Sequence, residues 1–416
     1  MIKKVDKSPE LISSNAAKRV LIVGGGFAGL SAACRLRRLA RGAEIILIDP
    51  QDCFTFFPAI YRLAAGELPE SAVCTPIAQI ANRRGFTFFH DEVEKIDWRR
   101  NFALTQKGER IPFDYCIIAV GGRTNYYGIP GMDEYAFALK TKDDAERLEE
   151  HASELVRRKG SARFVVCGGG LSGVEFASEL QGHLSGRCGR EWDDNSAQER
   201  LKRENAREGN GNSRHKVTVV HALPRLVPEL PQAGGIAEGR LREIGVELVL
   251  DSPVVRVGRN LVMTAGGRKI GADVIVWAGG MRTHELIGRS RFPTVTGGVG
   301  KATAGSGAAV NRFLQTTANP RIFAVGDCMA PVDAELRRQV IKTAWNAAAE
   351  GETAAHNVAA LMNGGPLRPF NPTACPVLFT IGRDFGVFHY RGLMLAGRWV
   401  VWLKGLFEKI YARNFA

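Results

Sequence analysis

The 416-residue sequence predicts an α/β fold of two Rossmann-like units, the second inserted in the first, followed by a C-terminal amphipathic helical segment. Three observations predict it. An apolar run followed at once by a glycine turn and a helical stretch occurs twice, in RVLIVGGGFAGL and in RFVVCGGGLSGVEF. Further apolar runs end in glycine pairs, IIAVGG and VIVWAGG, as strands buried on both faces of a parallel sheet do. The stretch 391–415 gathers tryptophans and other apolar residues with basic ones at helical spacing.

The elements follow in order. Residues 19–23 read as a strand, SAACRLRRLARG as a helix ending at Gly42, and 44–49 as the next strand. FDYCIIAVGG (113–122) is another buried run, and 143–159 is a helix with an acidic start and a basic end, which suits its macrodipole. The pattern restarts at 163–184, with 216–221 as the following strand. Between them the polar stretch 185–216 carries both charge signs and predicts a solvated excursion, part helix and part loop. Runs 245–250 and 273–280 continue the second sheet, 321–327 ends in Gly-Asp, and 339–362 reads as one long Ala-rich helix. The expected organisation is a first unit over 18–140 and 286–370, a second over 141–285, and a C-terminal membrane-association or dimerisation segment over 371–416.

Composition narrows the partners. Lys+Arg number 56 and Asp+Glu 43, a net +13 that admits nucleic acid, an anionic cofactor or an anionic membrane surface. Basic and acidic residues are interspersed and no recognition motif appears, so nucleic acid is disfavoured. The 47 glycines, without a Gly-X-Y period, belong to specific turns. Eight cysteines (34, 53, 74, 116, 167, 188, 328 and 375) make no C-x-x-C pair and read as reduced, mostly buried thiols; no metal site is expected. The N-terminus lacks the apolar core of a signal peptide, and no run is long enough for a transmembrane helix. Peripheral attachment stays open.

The glycine clusters carry the chemistry. Gly24, Gly26 and Gly29 fit G-x-G-x-x-G between strand and helix, and Asp49 closes the next strand. The first glycine allows the turn, the second lets a pyrophosphate approach backbone, the third packs helix on strand, and the acid accepts from a ribose hydroxyl. Gly168, Gly170 and Gly173 repeat the spacing, but the following strand ends in His221. Losing the acid removes a ribose hydrogen bond and the repulsion toward a 2′-phosphate, so NADH and NADPH both stay open, with Arg225 close by.

Together GGGFAGL, FTFFPAIYRLAAGEL, IIAVGG, GGGLSGVEFASEL, DVIVWAGG and NPRIFAVGD resemble the type II NADH dehydrogenase (NADH:quinone oxidoreductase) family of two-dinucleotide flavoproteins. The resemblance covers most of residues 18–358. It implies FAD in the first unit, NADH or NADPH in the second, a quinone acceptor, no proton pumping, and monotopic attachment at the cytoplasmic face of a membrane; a homodimer is expected. Gly24, Gly26, Gly29 and Asp49 match the FAD positions, as do Gly326 and Asp327. Phe57, Pro58 and Tyr61 match the segment near the isoalloxazine, and Gly168, Gly170, Gly173 and Glu175 the nicotinamide side.

The departures concern the acceptor. Where the family carries two glutamines after Gly-Asp, TAWNAAAEG places Trp345 and Ala349; these and Arg383 are the acceptor-site candidates. A sulfide:quinone reductase-like enzyme would need redox cysteines, for which Cys167, Cys328 and Cys375 are positions, and Cys328 after Asp327 stands where a helix start lowers a thiol pKa. A soluble biosynthetic flavin reductase and a non-enzymatic redox-sensing flavoprotein stay open beside it. On a helical reading of 391–415, Trp399, Trp402, Leu403, Leu406, Phe407, Ile410 and Tyr411 gather mainly on one side, Lys404, Glu408 and Arg413 are polar, and Arg398 and Lys409 extend the basic edge.

Overall fold

The computed structural model describes residues 17–185, 215–295, 306–340, 342–372 and 375–415. Nearly all of the polar excursion, the side chains of Tyr411 and Arg413, and Cys188 lie outside the described set.

Two parallel five-stranded sheets organise the chain. The first runs Ile322–Ala324, Tyr115–Ile118, Arg19–Val23, Glu44–Asp49, Thr87–His90. The second runs Phe137–Ala138, Val274–Trp277, Arg163–Cys167, Lys216–Val220, Glu247–Val249. In both, the strand preceding the glycine turn sits in the middle. A β-branched or aliphatic run such as Val20-Leu21-Ile22, with no solvent exposure, is stable only where helices cover both faces of its sheet. An antiparallel pairing of Gly122–Thr124 with Met281–Thr283 joins the end of the first passage through one sheet to the exit from the other.

The first-turn helix Phe27–Leu39 packs along the helix Ala344–Met362. A Cβ on Gly351 would lie 2.1 Å from the Ala28 carbonyl oxygen, so small residues set the separation of these helices. The helix read over 143–159 spans Lys142–Lys159 and is closed by a Thr141/Asp144 capping box and a left-handed Gly160.

Four expectations change. The first helix ends at Leu39, before Gly42. The Ala-rich stretch is not one helix: Ala334–Gln339 stops at an extended Val340, and a new helix starts at Ala344 with Thr343 as N-cap. Lys342 lies in the break, where Nζ donates to the Gly326 and Met329 carbonyls at 2.7 and 2.8 Å. Residues 391–415 are not all helical either. Leu393–Gly397 is a strand paired with Gly386–Tyr390 across a two-residue Arg391-Gly392 turn, both at positive φ, and the helix covers Arg398–Phe415. Finally, Cys53 and Cys74 form a disulfide between the paired strands Cys53–Thr55 and Cys74–Pro76, so these two are not the reduced thiols expected.

Candidate functional site: two glycine turns and a buried ion-pair cluster

The two turns are geometric copies. Gly24 and Gly168 have φ of +109° and +125°, and a Cβ on either would strike the backbone at Ala119 or Ala278. Gly29 and Gly173 press on the Gly24 and Gly168 carbonyls, closing helix onto strand. Asp49 Oδ2 accepts from the Gly25 amide at 2.5 Å, and His221 Nδ1 accepts from the Gly169 amide at 3.0 Å. His221 therefore replaces Asp49 in kind as well as in sequence. Burial lowers its pKa, keeping the ring neutral, and Nε2 has no hydrogen-bond partner among the described residues. Asp49 keeps its remaining lone pairs for a hydroxyl donor, whereas neutral His221 presents an N–H.

The first turn leaves room for a dinucleotide pyrophosphate. The space in front of Gly26 is open, with nothing within 4 Å of where a Cβ would stand. Gly326, at φ +73°, approaches Ala28 at the start of the same helix, and Asp327 lies against Gly122. Sequence reading missed what holds this Gly-Asp. Glu350, wholly buried on the Ala344–Met362 helix, accepts from the Gly326 amide at 2.5 Å, and burial pushes its pKa up to about 7. A glutamate in an Ala-rich run was the available signal. Phe57 lies under the Lys140 ammonium, 4.9 Å from the ring centroid. Lys140 in turn lines a cleft of about 620 Å³ with Arg123, Tyr126, Asp144, Arg147 and Arg282, at the junction of the two units.

The third feature comes from the C-terminal helix. Lys404, one of the polar residues read into this helix, is buried. Its Nζ donates to Tyr61 Oη at 2.6 Å and to Glu175 Oε1, which also accepts from the Thr380 amide at 3.0 Å. Burial opposes the ammonium, but Glu175, Tyr61 and Glu408 together hold its pKa above the usual lysine value. Arg62 pairs with Glu67 at 2.5 Å and Glu408 at 3.6 Å, and Arg383 reaches Glu67 at 3.1 Å. One helical turn beyond Glu175, Glu179 is pushed up to about 8 by burial and by the Glu67 carboxylate. Glu67 Oε2 has no hydrogen-bond partner among the described residues.

Other predicted residues stand apart. Pro58 is the middle residue of a short 3-10 turn, Phe57–Ala59. Trp345 is exposed in the first turn of its helix and Ala349 half-buried one turn on. Cys328 donates to the Val325 and Ile118 carbonyls, and burial pushes its thiol up to about 11, the reverse of the lowering expected there. Burial likewise pushes Cys167 up to about 12.

The sequence profile of the pyridine nucleotide-disulphide oxidoreductases matches residues 18–351. The chain belongs to this family. Its members' two-dinucleotide design is what the duplicated turns embody, and the assignment makes the chain a flavin-dependent NAD(P)H oxidoreductase that binds FAD and NAD(P)H. A type II NADH:quinone oxidoreductase of Staphylococcus epidermidis is 26% identical over 404 residues, 94% of each chain. Among solved structures, NDH2 of Plasmodium falciparum superposes with a TM-score of 0.77 at 16% identity, covering 96% of this chain and 95% of that one. The sulfide:quinone oxidoreductase of Aquifex aeolicus gives 0.74 at 20%, covering 96% and 91%. These two show a shared fold.

Proposed function

We propose that the protein is a peripheral-membrane NAD(P)H:quinone oxidoreductase. When bound, FAD would supply the chemistry, taking hydride from NAD(P)H at N5 and passing two electrons to a membrane quinone or related lipophilic acceptor. Gly24, Gly26, Gly29, Asp49, Gly326 and Asp327 would hold it. The second turn and His221 would hold the nicotinamide dinucleotide, with the His221 Nε2 N–H compatible with either a 2′-hydroxyl or a 2′-phosphate. Glu175, fixed by Lys404 and the Thr380 amide, would position the nicotinamide end, and Phe57 with Pro58 would border the flavin. Glu179, whose pKa burial and the Glu67 carboxylate push up to about 8, would be a proton source in the same cluster for an acceptor that must gain protons as it gains electrons.

The observation that carries the acceptor reading is the inverted amphipathicity of Arg398–Phe415. An ordinary surface helix turns its apolar stripe inward. Here Lys404 and Glu408 face the protein beside Val400, while Trp399, Trp402, Leu406, Phe407 and Ile410 are exposed, Trp402 by 71%. Aromatic residues outside and basic Arg398 and Lys409 at the edge suit a helix lying in the plane of an anionic membrane surface. No helix among the described residues is long and apolar enough to cross a membrane. The cytoplasmic face and a homodimer belong to the same proposal.

Two measurements test it. Anaerobic NADH or NADPH should bleach the bound flavin and a quinone should restore it; reduction by sulfide alone, or by neither nicotinamide, refutes the reading. The buried, weakly acidic Cys167 and Cys328 argue against the sulfide route. Trp402→Glu should weaken flotation with phosphatidylglycerol-containing vesicles by about tenfold or more, and unchanged flotation would remove the membrane half of the proposal.

A further inference from the structure

The two turns differ in one respect that the duplication makes visible. The position before Gly26 is open, but the equivalent space at Gly170 is filled: Glu229 Oε1 lies 2.7 Å from where a Cβ on Gly170 would stand. The carboxylate also meets the backbone amide of Leu171, the first residue of the helix Leu171–Leu184. This is the place where a helix start offers unpaired N–H groups and positive potential to an anion.

The loop carrying Glu229 is built to keep it there. The Val227 amide donates to the Gly169 carbonyl at 2.8 Å, and the Leu230 amide to the Val227 carbonyl at 2.9 Å, closing a turn pinned on the glycine loop. Val227 sits at φ +53°, a costly conformation for a β-branched residue, held by its complete burial. Glu229 as a residue remains exposed, and although burial against the glycine turn raises the pKa of its carboxyl, the side chain leaves only that contact when it swings into water.

We propose that Glu229 is an internal stand-in for the pyrophosphate of the nicotinamide dinucleotide, and that its displacement sets how tightly the second turn holds that ligand. The inference rests on nucleotide binding at the second turn. In the empty state the carboxylate satisfies the helix N-terminus. On binding, phosphate oxygens exchange with it, and the apparent affinity falls by the fraction of time the turn is uncovered. A dinucleotide that must leave at every turnover gains from a site that re-satisfies itself. The first turn, built for a resident cofactor, has no such occupant at Gly26.

The test is calorimetric binding of ADP-ribose and NAD+ to flavin-loaded wild type, Glu229→Gln and Glu229→Ala. Both variants should bind both ligands about tenfold more tightly, the size of one carboxylate's interaction with a helix start. The gain should be equal for the two ligands, because the pyrophosphate is what they share. Unchanged flavin content establishes that the variants are folded. Affinities within twofold of wild type, or weaker, overturn the proposal while leaving nucleotide binding intact. Failure of wild type and variants alike to bind ADP-ribose overturns the nucleotide assignment of the second turn and this inference with it.

Discussion

Replacing Lys404 with methionine keeps the length and apolar stem of the side chain and removes its charge. What remains is Glu175, a buried carboxylate whose other hydrogen bond is the single Thr380 amide, beside a buried Tyr61 hydroxyl and the Glu408 carboxylate. Breaking a buried pair from one side costs about 3–5 kcal/mol, mostly because the surviving charge is left uncompensated. At an unfolding entropy of about 2.1 cal/mol/K per residue, the 416-residue chain has roughly 0.9 kcal/mol/K, so the melting temperature should fall by about 3–6 °C. The assay is thermal unfolding of flavin-loaded protein followed by circular dichroism at neutral pH. Adding Glu175→Gln to Lys404→Met should recover at least half of the loss, since the stranded charge goes with it. A Lys404→Met protein melting within about 1 °C of wild type, or a double variant no more stable than the single one, would refute the reasoning.

Three further outcomes are expected. His221→Asp should keep the bond to the Gly169 amide while adding negative charge, moving preference toward NADH over NADPH by about tenfold in paired binding titrations; an unchanged ratio would detach His221 from the ribose. Glu179, facing Glu67, Arg62 and Arg383, has a folded pKa of about 8, above its unfolded value. The stability it contributes is fully present below the unfolded carboxylate range and is lost as pH rises through about 8. Melting temperatures should therefore fall across that window in wild type and fall less in Glu179→Gln. The Cys53–Cys74 disulfide joins residues 21 apart, so Cys53→Ser with Cys74→Ser should cost about 3 kcal/mol, read as a lower melting temperature that dithiothreitol reproduces in wild type and does not deepen in the variant.

Much of the frame is local in origin and so is legible in the chain. Strand, glycine turn and helix follow one another within thirty residues, and a G-x-G-x-x-G turn dictates its own backbone, which is why both turns and Asp49 stand where the spacing puts them. Glu175 sits four residues before Glu179 on one helix, so their sharing of a face was readable. The break before Ala344 was not, because Lys342 is drawn out by carbonyls at Gly326 and Met329 that are distant in sequence. Nor was the hairpin at Arg391-Gly392, which a helical count of apolar residues overran.

By itself the sequence determined the duplication, the two dinucleotide turns and the presence of an aromatic, basic C-terminus, since each is a pattern over neighbouring residues. Only the tertiary structure decided that Lys404 turns inward to Glu175 and Tyr61, that Glu350 holds the Gly326 amide, that Cys53 meets Cys74, and that Glu229 covers Gly170. Each of these joins residues from separate elements. A charged side chain reads as solvated until the fold supplies a partner, and a buried partner across the chain is what makes its burial affordable.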